Sequence, residues 1–288
     1  MEQLEIGPRQ VGTPSTRASA MPVIEASGVV KTFGTVNALS GLSMKVMPGE
    51  IYGLLGPNGA GKSTMIKIIN GLLQPTSGTV RVGGYDISSD PFEVKSAIGY
   101  VAESSILYDS LSPRDFFEFV ASVRKIDPAK ANERVTKLAD AFALRQYYDS
   151  PIATLSMGTK QKVAIIASLI HEPPLLLLDE PLNGLDARSS RILKDLISFH
   201  AEKNKAAVLF STHIMEVAEH LCTRIGIIYG GKIVAEGSLE ELRKKASTEK
   251  ELGSKEASLE DIFLRLTHEE EEVTETVKIL REAFLVGR

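Results

Sequence analysis

The chain has little of what marks disulfide-rich, membrane-spanning or nucleic-acid-binding proteins. Its one cysteine, Cys222, excludes an intrachain disulfide, and we expect this thiol to be packed at a helix end. The 33 Lys and Arg residues against 37 Asp and Glu residues give a net charge of −4 without a basic block, so no nucleic-acid partner is expected. No uninterrupted apolar run reaches the roughly 20 residues that a transmembrane helix needs. These absences favour a soluble intracellular protein.

What the chain does have is 43% hydrophobic residues over 288 positions, arranged in two patterns. Short apolar runs separated by turn signals, from residue 22 to about 55, predict strands. Apolar residues at helical spacing predict a helical insert over 112–146. Those that open the insert are Phe116, Phe119, Val120 and Val123. The near-fully apolar run 175–178 is typical of a parallel strand covered on both faces.

The most informative segment is a glycine-rich run that fits the pattern G-x-x-x-x-G-K-[ST]. Its members are Gly56, Pro57, Asn58, Gly59, Ala60, Gly61, Lys62, Ser63 and Thr64. An apolar strand-like run precedes it and a helical pattern follows, so backbone N–H groups at a helix N-terminus aim at one point. We expect Lys62 to reach the β- and γ-phosphates of a nucleotide and Ser63 to hold Mg²⁺. The alternative, a glycine-rich turn with a chance lysine, does not explain the flanking pattern.

Two adjacent acids end the apolar run Leu175–Leu178, which is the Walker B pattern. We expect Asp179 to hold Mg²⁺, directly or through water, and Glu180 to polarise the attacking water as general base. Paired carboxylates at a strand end also occur in solvated turns and helix caps. Downstream of a phosphate-binding loop, the catalytic interpretation is favoured.

A second glycine-containing loop lies just before that strand, in the run Leu155–Gln161. Placed at a helix start, the Ser156 hydroxyl and the Gly158 N–H are suited to bind phosphate. By itself the run is also explained as a capped helix N-terminus. It resembles the L-S-G-G-Q signature of ABC ATPases in the variant form L-S-x-G-x-K-Q.

Taken together, residues 22–240 resemble the ABC transporter ATPase family. The resemblance implies an α/β fold, with a P-loop NTPase (RecA-like) parallel-sheet core, an antiparallel β subdomain and an inserted helical subdomain. Asp186 ends a run similar to the family's D-loop, His213 matches the switch histidine that contacts the γ-phosphate, and Phe33 matches the aromatic that stacks on adenine. A solvated histidine and a core aromatic are the respective alternatives.

Two positions depart from the commonest family pattern. Glu103 stands where the family usually has glutamine, and the resemblance implies that its carboxylate serves Mg²⁺ and water in the same loop. The alternative is that Glu103 points to solvent. Met157 replaces the first glycine of the signature, and the pair Lys160-Gln161 that follows is similar to export-type members.

The resemblance implies ATP and Mg²⁺ as cofactors and a head-to-tail homodimer in which the signature loop of one copy completes the ATP site of the other. It also implies a separate integral membrane permease, with this chain peripheral on the cytoplasmic face. The leading hypothesis is therefore the ATP-hydrolysing subunit of an exporter. Two other hypotheses are a soluble ABC ATPase acting on nucleic acid or ribosomes, and a nucleotide-gated regulatory subunit with little turnover.

The expected domain boundaries follow from these patterns. Residues 1–20 are expected to form a disordered leader and 21–240 the ATPase domain, with the helical insert at about 104–160. Residues 241–288 are expected to form a helical extension. Its apolar stripe over 273–288 is explained either by packing on its own domain or by docking of a partner.

Overall fold

The computed structural model describes residues 21–246, 258–267 and 275–276, and strands and helices alternate along them. The predicted leader 1–20 lies outside the described residues, and so does the apolar stripe 273–288 apart from 275 and 276. The strands are β1 (Ile24–Phe33), β2 (Val36–Val46), β3 (Ile51–Leu55), β4 (Ser77–Val82), β5 (Tyr85–Asp86), β6 (Ile98–Val101), β7 (Leu175–Asp179), β8 (Ala207–Thr212), β9 (Arg224–Tyr229) and β10 (Lys232–Gly237). The helices are α1 (Lys62–Ile69), α2 (Pro91–Ala97), α3 (Pro113–Val123), α4 (Pro128–Ala141), α5 (Met157–Leu169), α6 (Ala187–Asn204), α7 (Met215–Leu221), α8 (Leu239–Ala246) and α9 (Leu259–Thr267).

A six-stranded sheet with the order β10-β9-β3-β8-β7-β6 forms the centre of the molecule. Its strands β9, β3, β8, β7 and β6 are parallel, and β10 closes the edge antiparallel to β9. β3 and β7 are buried along their whole length, as the continuous apolar runs predict for strands covered on both faces. Because the strands are parallel, the residues that follow them meet at one edge of the sheet.

A second, antiparallel sheet has the order β2-β1-β4-β5, and its strand β2 contacts the glycine-rich loop Gly56–Thr64, which we call the nucleotide-binding loop. β1 and β2 pair from Ile24 with Val46 to Phe33 with Val36, with three register shifts, two of which coincide with Gly28 and Gly41. Together with the parallel core and the inserted helices, this sheet confirms the predicted fold class.

The two helices α3 and α4 lie within the predicted helical insert. Ser112 and Asp115 form a reciprocal capping box at the start of α3, and each accepts the other's backbone N–H at 3.2 Å. The buried face matches the expected stripe only in part. Phe116 is buried and Val120 packs against the core, whereas Phe119 and Val123 are 44% and 63% exposed and Phe117, outside the stripe, is 3% exposed. The spacing identified the helix and part of its inward face.

The hydrophobic core is divided by the parallel sheet into two clusters. Leu175 and Leu177 of β7 pack with α1 and the antiparallel sheet. Leu176 and Leu178 pack on the opposite face with α5, α6 and the helical insert. All four leucines are buried, and complete burial of a leucine side chain is worth about 1.5–3 kcal/mol.

The described C-terminal helices cover a third, smaller cluster. Leu242 of α8 and Ile262 of α9 pack against Ile225 and Ile227 of β9. The thiol of Cys222 faces Gly53, where an added Cβ would collide with it, and burial raises the pKa of this thiol. Cys222 is therefore a packed helix-end residue, as the sequence predicts.

Candidate functional site

The nucleotide-binding loop connects β3 to α1 and depends on glycines in left-handed conformations. Gly59 and Gly61 have φ angles of 83° and 109°. A Cβ on Gly61 would lie 2.6 Å from the carbonyl oxygen of Ala38, so this position combines an unfavourable φ with a close approach. The resulting turn directs the N-terminus of α1 into a cavity of about 250 Å³.

This cavity brings together the predicted loop and two of the predicted acids. Its lining residues are Ala38, Pro57, Asn58, Gly59, Gly61, Lys62, Ser63, Thr64, Glu103 and Glu180. The other two members of the loop support its shape. The Gly56 carbonyl accepts from Lys62, and the buried Ala60 accepts the backbone N–H of Gly231 at 3.1 Å.

Lys62 is a buried cation, 5% exposed, at the first position of α1. Its Nζ donates to the carbonyl oxygens of Gly56 at 2.7 Å and Pro57 at 3.2 Å, and lies 3.5 Å from Glu180 Oε1. A buried ammonium group needs such partners to offset its desolvation. These oxygens accept hydrogen bonds or balance the charge of the ammonium group, as phosphate oxygens also do.

Asp179 is held at the end of β7 by two hydroxyl groups. Its Oδ1 accepts from Ser63 Oγ at 3.0 Å and from Ser211 Oγ at 2.6 Å, and the residue is 1% exposed. Ser63 belongs to the nucleotide-binding loop and Ser211 to β8. The contact with Ser63 therefore joins the two motifs that the sequence predicts to share one magnesium ion.

Glu180 has a constrained position directly after β7. Its φ is 46°, a left-handed conformation that is uncommon outside glycine, and its backbone N–H donates to Ser211 Oγ at 3.0 Å. Its Oε1 lies 3.1 Å from His213 Nδ1 and 3.5 Å from Lys62 Nζ. The carboxylate is thus fixed between a buried cation and a half-exposed histidine.

Glu103 follows β6, is exposed to solvent and lines the same cavity. Tyr100 lies three residues earlier, in β6. Burial, with the charges of Asp179 and Glu103, raises the pKa of Tyr100 to about 12. Glu103 therefore faces the nucleotide-binding loop, and its side chain is also open to solvent.

The signature residues and Asp186 are not among the residues that line this cavity. Ser156 is exposed and caps α5, where its Oγ accepts the Thr159 N–H at 3.3 Å. Gly158 packs so closely against Gly184 that a Cβ added to Gly158 would collide with the Gly184 carbonyl oxygen. The signature loop and the predicted D-loop are therefore in direct contact.

Asp186 caps α6 in the same way. Its Oδ1 accepts the Ser189 N–H at 2.8 Å, and its Oδ2 lies 3.0 Å from Lys162 Nζ. These bonds, with the Ser189 N–H first, hold the pKa of the Asp186 carboxyl well below its usual range. Ser156 and Asp186 are thus the N-caps of α5 and α6, and both residues are exposed to solvent.

Phe33 ends β1 and is 48% exposed. The ammonium group of Lys31 lies 5.0 Å from its ring centroid. Phe33 is not among the residues that line the cavity around the loop, so adenine stacking on this ring stays a prediction. The exposed ring excludes the alternative of a core aromatic.

Sequence reasoning did not predict the contacts of two buried polar residues. Ser211 joins Asp179 to the backbone of Glu180, and Gln161, 4% exposed, bonds to both Ser105 and Pro181. The available signal was a serine at the carboxyl end of an otherwise apolar strand, two residues before His213.

The donor set around Ser63 and Asp179 fits magnesium better than a metal with an all-protein cage. No group of three or more His, Cys, Asp or Glu side chains in the described part of the chain is arranged to hold a metal ion. Mg²⁺ usually takes one or two carboxylates and completes its shell with water and substrate phosphates. One hydroxyl and one carboxylate beside a phosphate-binding loop match that preference.

Comparisons with known proteins agree with this geometry. The family model described as "ABC transporter" matches residues 39–183. A relative from Escherichia coli, named "Probable multidrug ABC transporter ATP-binding protein YbhF", is 36% identical over 86% of this chain, which spans 42% of that relative's length. The daunorubicin/doxorubicin resistance ATP-binding protein DrrA of Streptomyces peucetius is 36% identical over 81% of this chain and 69% of its own length.

Solved structures of similar fold are also ATP-binding cassettes. An ATP-binding subunit of an ABC transporter matches with a TM-score of 0.79 and 31% identity, over 85% of this chain and 99% of that one. A dimeric bacterial ABC transporter cassette, MJ0796, matches with a TM-score of 0.70 and 27% identity, over 75% of this chain and 98% of that one. Within the described residues, no helix combines the length and apolarity needed to cross a bilayer. The chain belongs to the ABC transporter ATP-binding proteins.

Proposed function

We propose that this chain binds and hydrolyses ATP to power a multi-subunit ABC transporter, and that this transporter is an exporter. The observation that carries hydrolysis is the placement of Glu180, whose buried carboxylate faces the nucleotide-binding loop between Lys62 and His213. Export is supported by the names of relatives, which refer to multidrug transport and to daunorubicin and doxorubicin resistance.

ATP would bind to groups that already contact oxygen atoms of the protein. Lys62 would exchange the carbonyls of Gly56 and Pro57 for phosphate oxygens, and the N–H groups at the start of α1 would bind the same anion. Ser63 and Asp179 would hold Mg²⁺, which when bound supplies positive charge against the phosphate oxygens. Phe33 is proposed to stack on the adenine.

The proposed chemical step is general-base catalysis. Glu180 would accept a proton from the attacking water, a role worth about 10²–10⁴ in rate. Its fixed backbone, bound to Ser211, keeps the carboxylate at the cavity. His213 would contact the γ-phosphate and orient Glu180 through the 3.1 Å contact, and Glu103, which lines the same cavity, would serve Mg²⁺ and water.

A second copy of the chain is proposed to complete each ATP site in a head-to-tail dimer. The support is that Ser156 and Asp186 are exposed, and that both lie outside the cavity formed by the nucleotide-binding loop. The solved MJ0796 cassette is described as dimeric. Ser156, Gly158 and Asp186 would then approach the nucleotide bound by the partner.

An integral membrane permease is proposed as the other partner, which would place this chain on the cytoplasmic face of a membrane. A groove of about 780 Å³ runs between the helical insert and the parallel core, and Glu103 lies in it. Ile106, which lines this groove, is 97% exposed, and Tyr108 and Phe119, whose rings contact each other, are 58% and 44% exposed. A large apolar rim of this kind marks an interaction surface.

Replacement of Glu180 by glutamine tests the base assignment. Glu180→Gln keeps the shape of the side chain but removes the proton acceptor, so we expect ATP affinity to persist and turnover to fall by about 100-fold or more. Light scattering with ATP should show a persistent dimer. Glu216→Gln, an exposed change on α7, is the matched control.

The same measurements separate the alternatives. Turnover in Glu180→Gln that equals the wild-type rate would refute the base assignment. A wild-type chain that binds ATP with no measurable turnover, alone and with its co-purifying membrane protein, would instead indicate a regulatory subunit.

A further inference from the structure

Gln161 is a buried polar side chain in the second turn of α5 with both ends of its amide in hydrogen bonds. It is 4% exposed. Its two hydrogen-bond partners lie in different segments, Ser105 in the segment after β6 and Pro181 in the segment after β7. Each of these segments carries one of the cavity carboxylates.

The carbonyl end of the amide contacts the segment of Glu103. Ser105 Oγ donates to Gln161 Oε1 at 3.0 Å. The same hydroxyl lies 3.3 Å from the carbonyl oxygen of Ala102, so Ser105 contacts the residue immediately before Glu103. The turn that presents Glu103 is thereby tied to α5.

The NH₂ end of the amide contacts the segment of Glu180. Gln161 Nε2 donates to the carbonyl oxygen of Pro181 at 3.3 Å. A backbone carbonyl only accepts hydrogen bonds, which fixes the orientation of the amide. Pro181 directly follows Glu180, so its carbonyl is one residue from the proposed general base.

The sheet itself does not extend this far. The last pair of the ladder between β6 and β7 is Val101 with Leu178. Glu103 and Glu180 both lie beyond that pair, where their segments leave the sheet. Gln161 spans the two segments at this point.

We propose that Gln161 is a positioning residue that sets the separation of Glu103 and Glu180 across the ATP cavity, through Ser105 on one side and Pro181 on the other. This inference rests on the proposed roles of the two carboxylates. Because Gln161 lies in the helix that begins at the signature loop, it also ties their separation to the position of that loop.

The chain offers a matched control for this contact. Lys160, the neighbour of Gln161, lies 3.0 Å from Asp109, so the same helix and the same loop are joined a second time. That ion pair is solvent-accessible and has no bond to Pro181. Asp109→Asn therefore weakens the attachment of the loop without touching the proposed connection.

The test compares Ser105→Ala, Ser105→Thr and Asp109→Asn in the full chain. The Mg²⁺ concentration for half-maximal ATP hydrolysis should rise about three- to tenfold in Ser105→Ala, as expected for one lost hydrogen bond. The KM for ATP should stay within about twofold, because the phosphate-binding loop is unchanged. Ser105→Thr keeps a hydroxyl and should have the wild-type Mg²⁺ requirement. Asp109→Asn should also have the wild-type Mg²⁺ requirement.

Non-additivity gives the second readout. Gln161→Met removes both bonds, so adding Ser105→Ala to it should cause no further change. Independent, multiplying effects would overturn the proposal, as would a wild-type Mg²⁺ requirement in Ser105→Ala or an equal shift in Asp109→Asn. If Gln161→Met does not fold, the comparison of Ser105→Ala with Ser105→Thr tests the proposal by itself.

Calorimetry separates a failure of this inference from a failure of the proposed function. ATP binding is titrated with Mg²⁺ and with a chelator in each variant. A wild-type chain without turnover would refute the proposed function. The ratio of the two affinities would still show whether Ser105→Ala alters the response to Mg²⁺, and an unchanged ratio would refute the inference.

Discussion

The two halves of the proposed ATP site are built in opposite ways. Lys62, Asp179 and Glu180 are buried, and their polar groups are bonded to one another or to the nucleotide-binding loop. Ser156 and Asp186 are exposed, and each is bonded within the first turn of its own helix. The first half is thus complete within one chain, whereas the second half presents its groups outward. This difference explains why one copy contains both motifs without bringing them together.

The largest effect is expected when two inactive variants, one altered in each half of the site, are mixed. Lys62→Ala removes the cation that is proposed to bind phosphate, and Ser156→Arg places a bulky cation on the outward-facing half. We expect each alone to lose about 100-fold or more in ATP turnover. In an equal mixture that exchanges subunits, a head-to-tail dimer restores one intact site per mixed dimer, or about a quarter of wild-type sites.

The control for mixing is the sum of the two variants measured separately. Activity equal to that sum, under conditions in which light scattering shows mixed dimers, would contradict the complementary-halves arrangement. It would mean that the outward-facing half does not complete the site of a second copy.

Ser211→Ala tests how much the hydrogen bonds of Ser211 contribute to the buried half. It removes the bond to Asp179 Oδ1 and the acceptor for the Glu180 N–H. We expect a loss of about 1–3 kcal/mol in the free energy of unfolding and roughly a tenfold fall in turnover. Urea unfolding and steady-state kinetics measure the two effects, and Ser198→Ala on α6 is the control. Unchanged turnover with lowered stability would limit Ser211 to a structural role.

The smallest expected effect concerns acid sensitivity of the exposed half. The folded-state pKa of Asp186 is depressed, so its charged cap contributes fully above the ordinary aspartate pKa and is lost as the pH falls below about 4. Asp186→Asn removes the charge and keeps an oxygen acceptor. The stability difference between wild type and variant should therefore be constant from pH 7 to about pH 4 and shrink below it. Urea unfolding across this range measures it, and a difference that already shrinks above pH 5 would contradict the assignment.

The architecture was predicted from the resemblance to ABC ATPases, whereas local patterns were sufficient to predict the buried strands and the main motifs that follow them. Gly56–Thr64 and the pair Asp179 and Glu180 each follow a near-fully apolar run, and such runs pack as parallel strands whose carboxyl ends share an edge. The contact between Ser63 and Asp179 is the direct result. These features depend on local patterns, which a single sequence contains.

The missed features depend on contacts between distant segments. Sequence reasoning did not single out Ser211, and Gln161 was noted only as part of the signature-like run. Their contacts form only where distant segments converge. The exposed part of the expected α3 stripe has a related cause. Phe116, Phe117 and Phe119 permit overlapping helical stripes, and only packing against α4 and α5 buries Phe116 and Phe117 and leaves Phe119 exposed.

The alternation of leucines along β7 has a consequence for how the protein unfolds. Leu175 and Leu177 belong to the core of the nucleotide-binding side, and Leu176 and Leu178 to the core that holds the helical insert. Removing this one strand from the sheet would expose both cores at once. The two sides of the sheet are therefore coupled in stability, and they are expected to melt in one cooperative transition rather than as separate units.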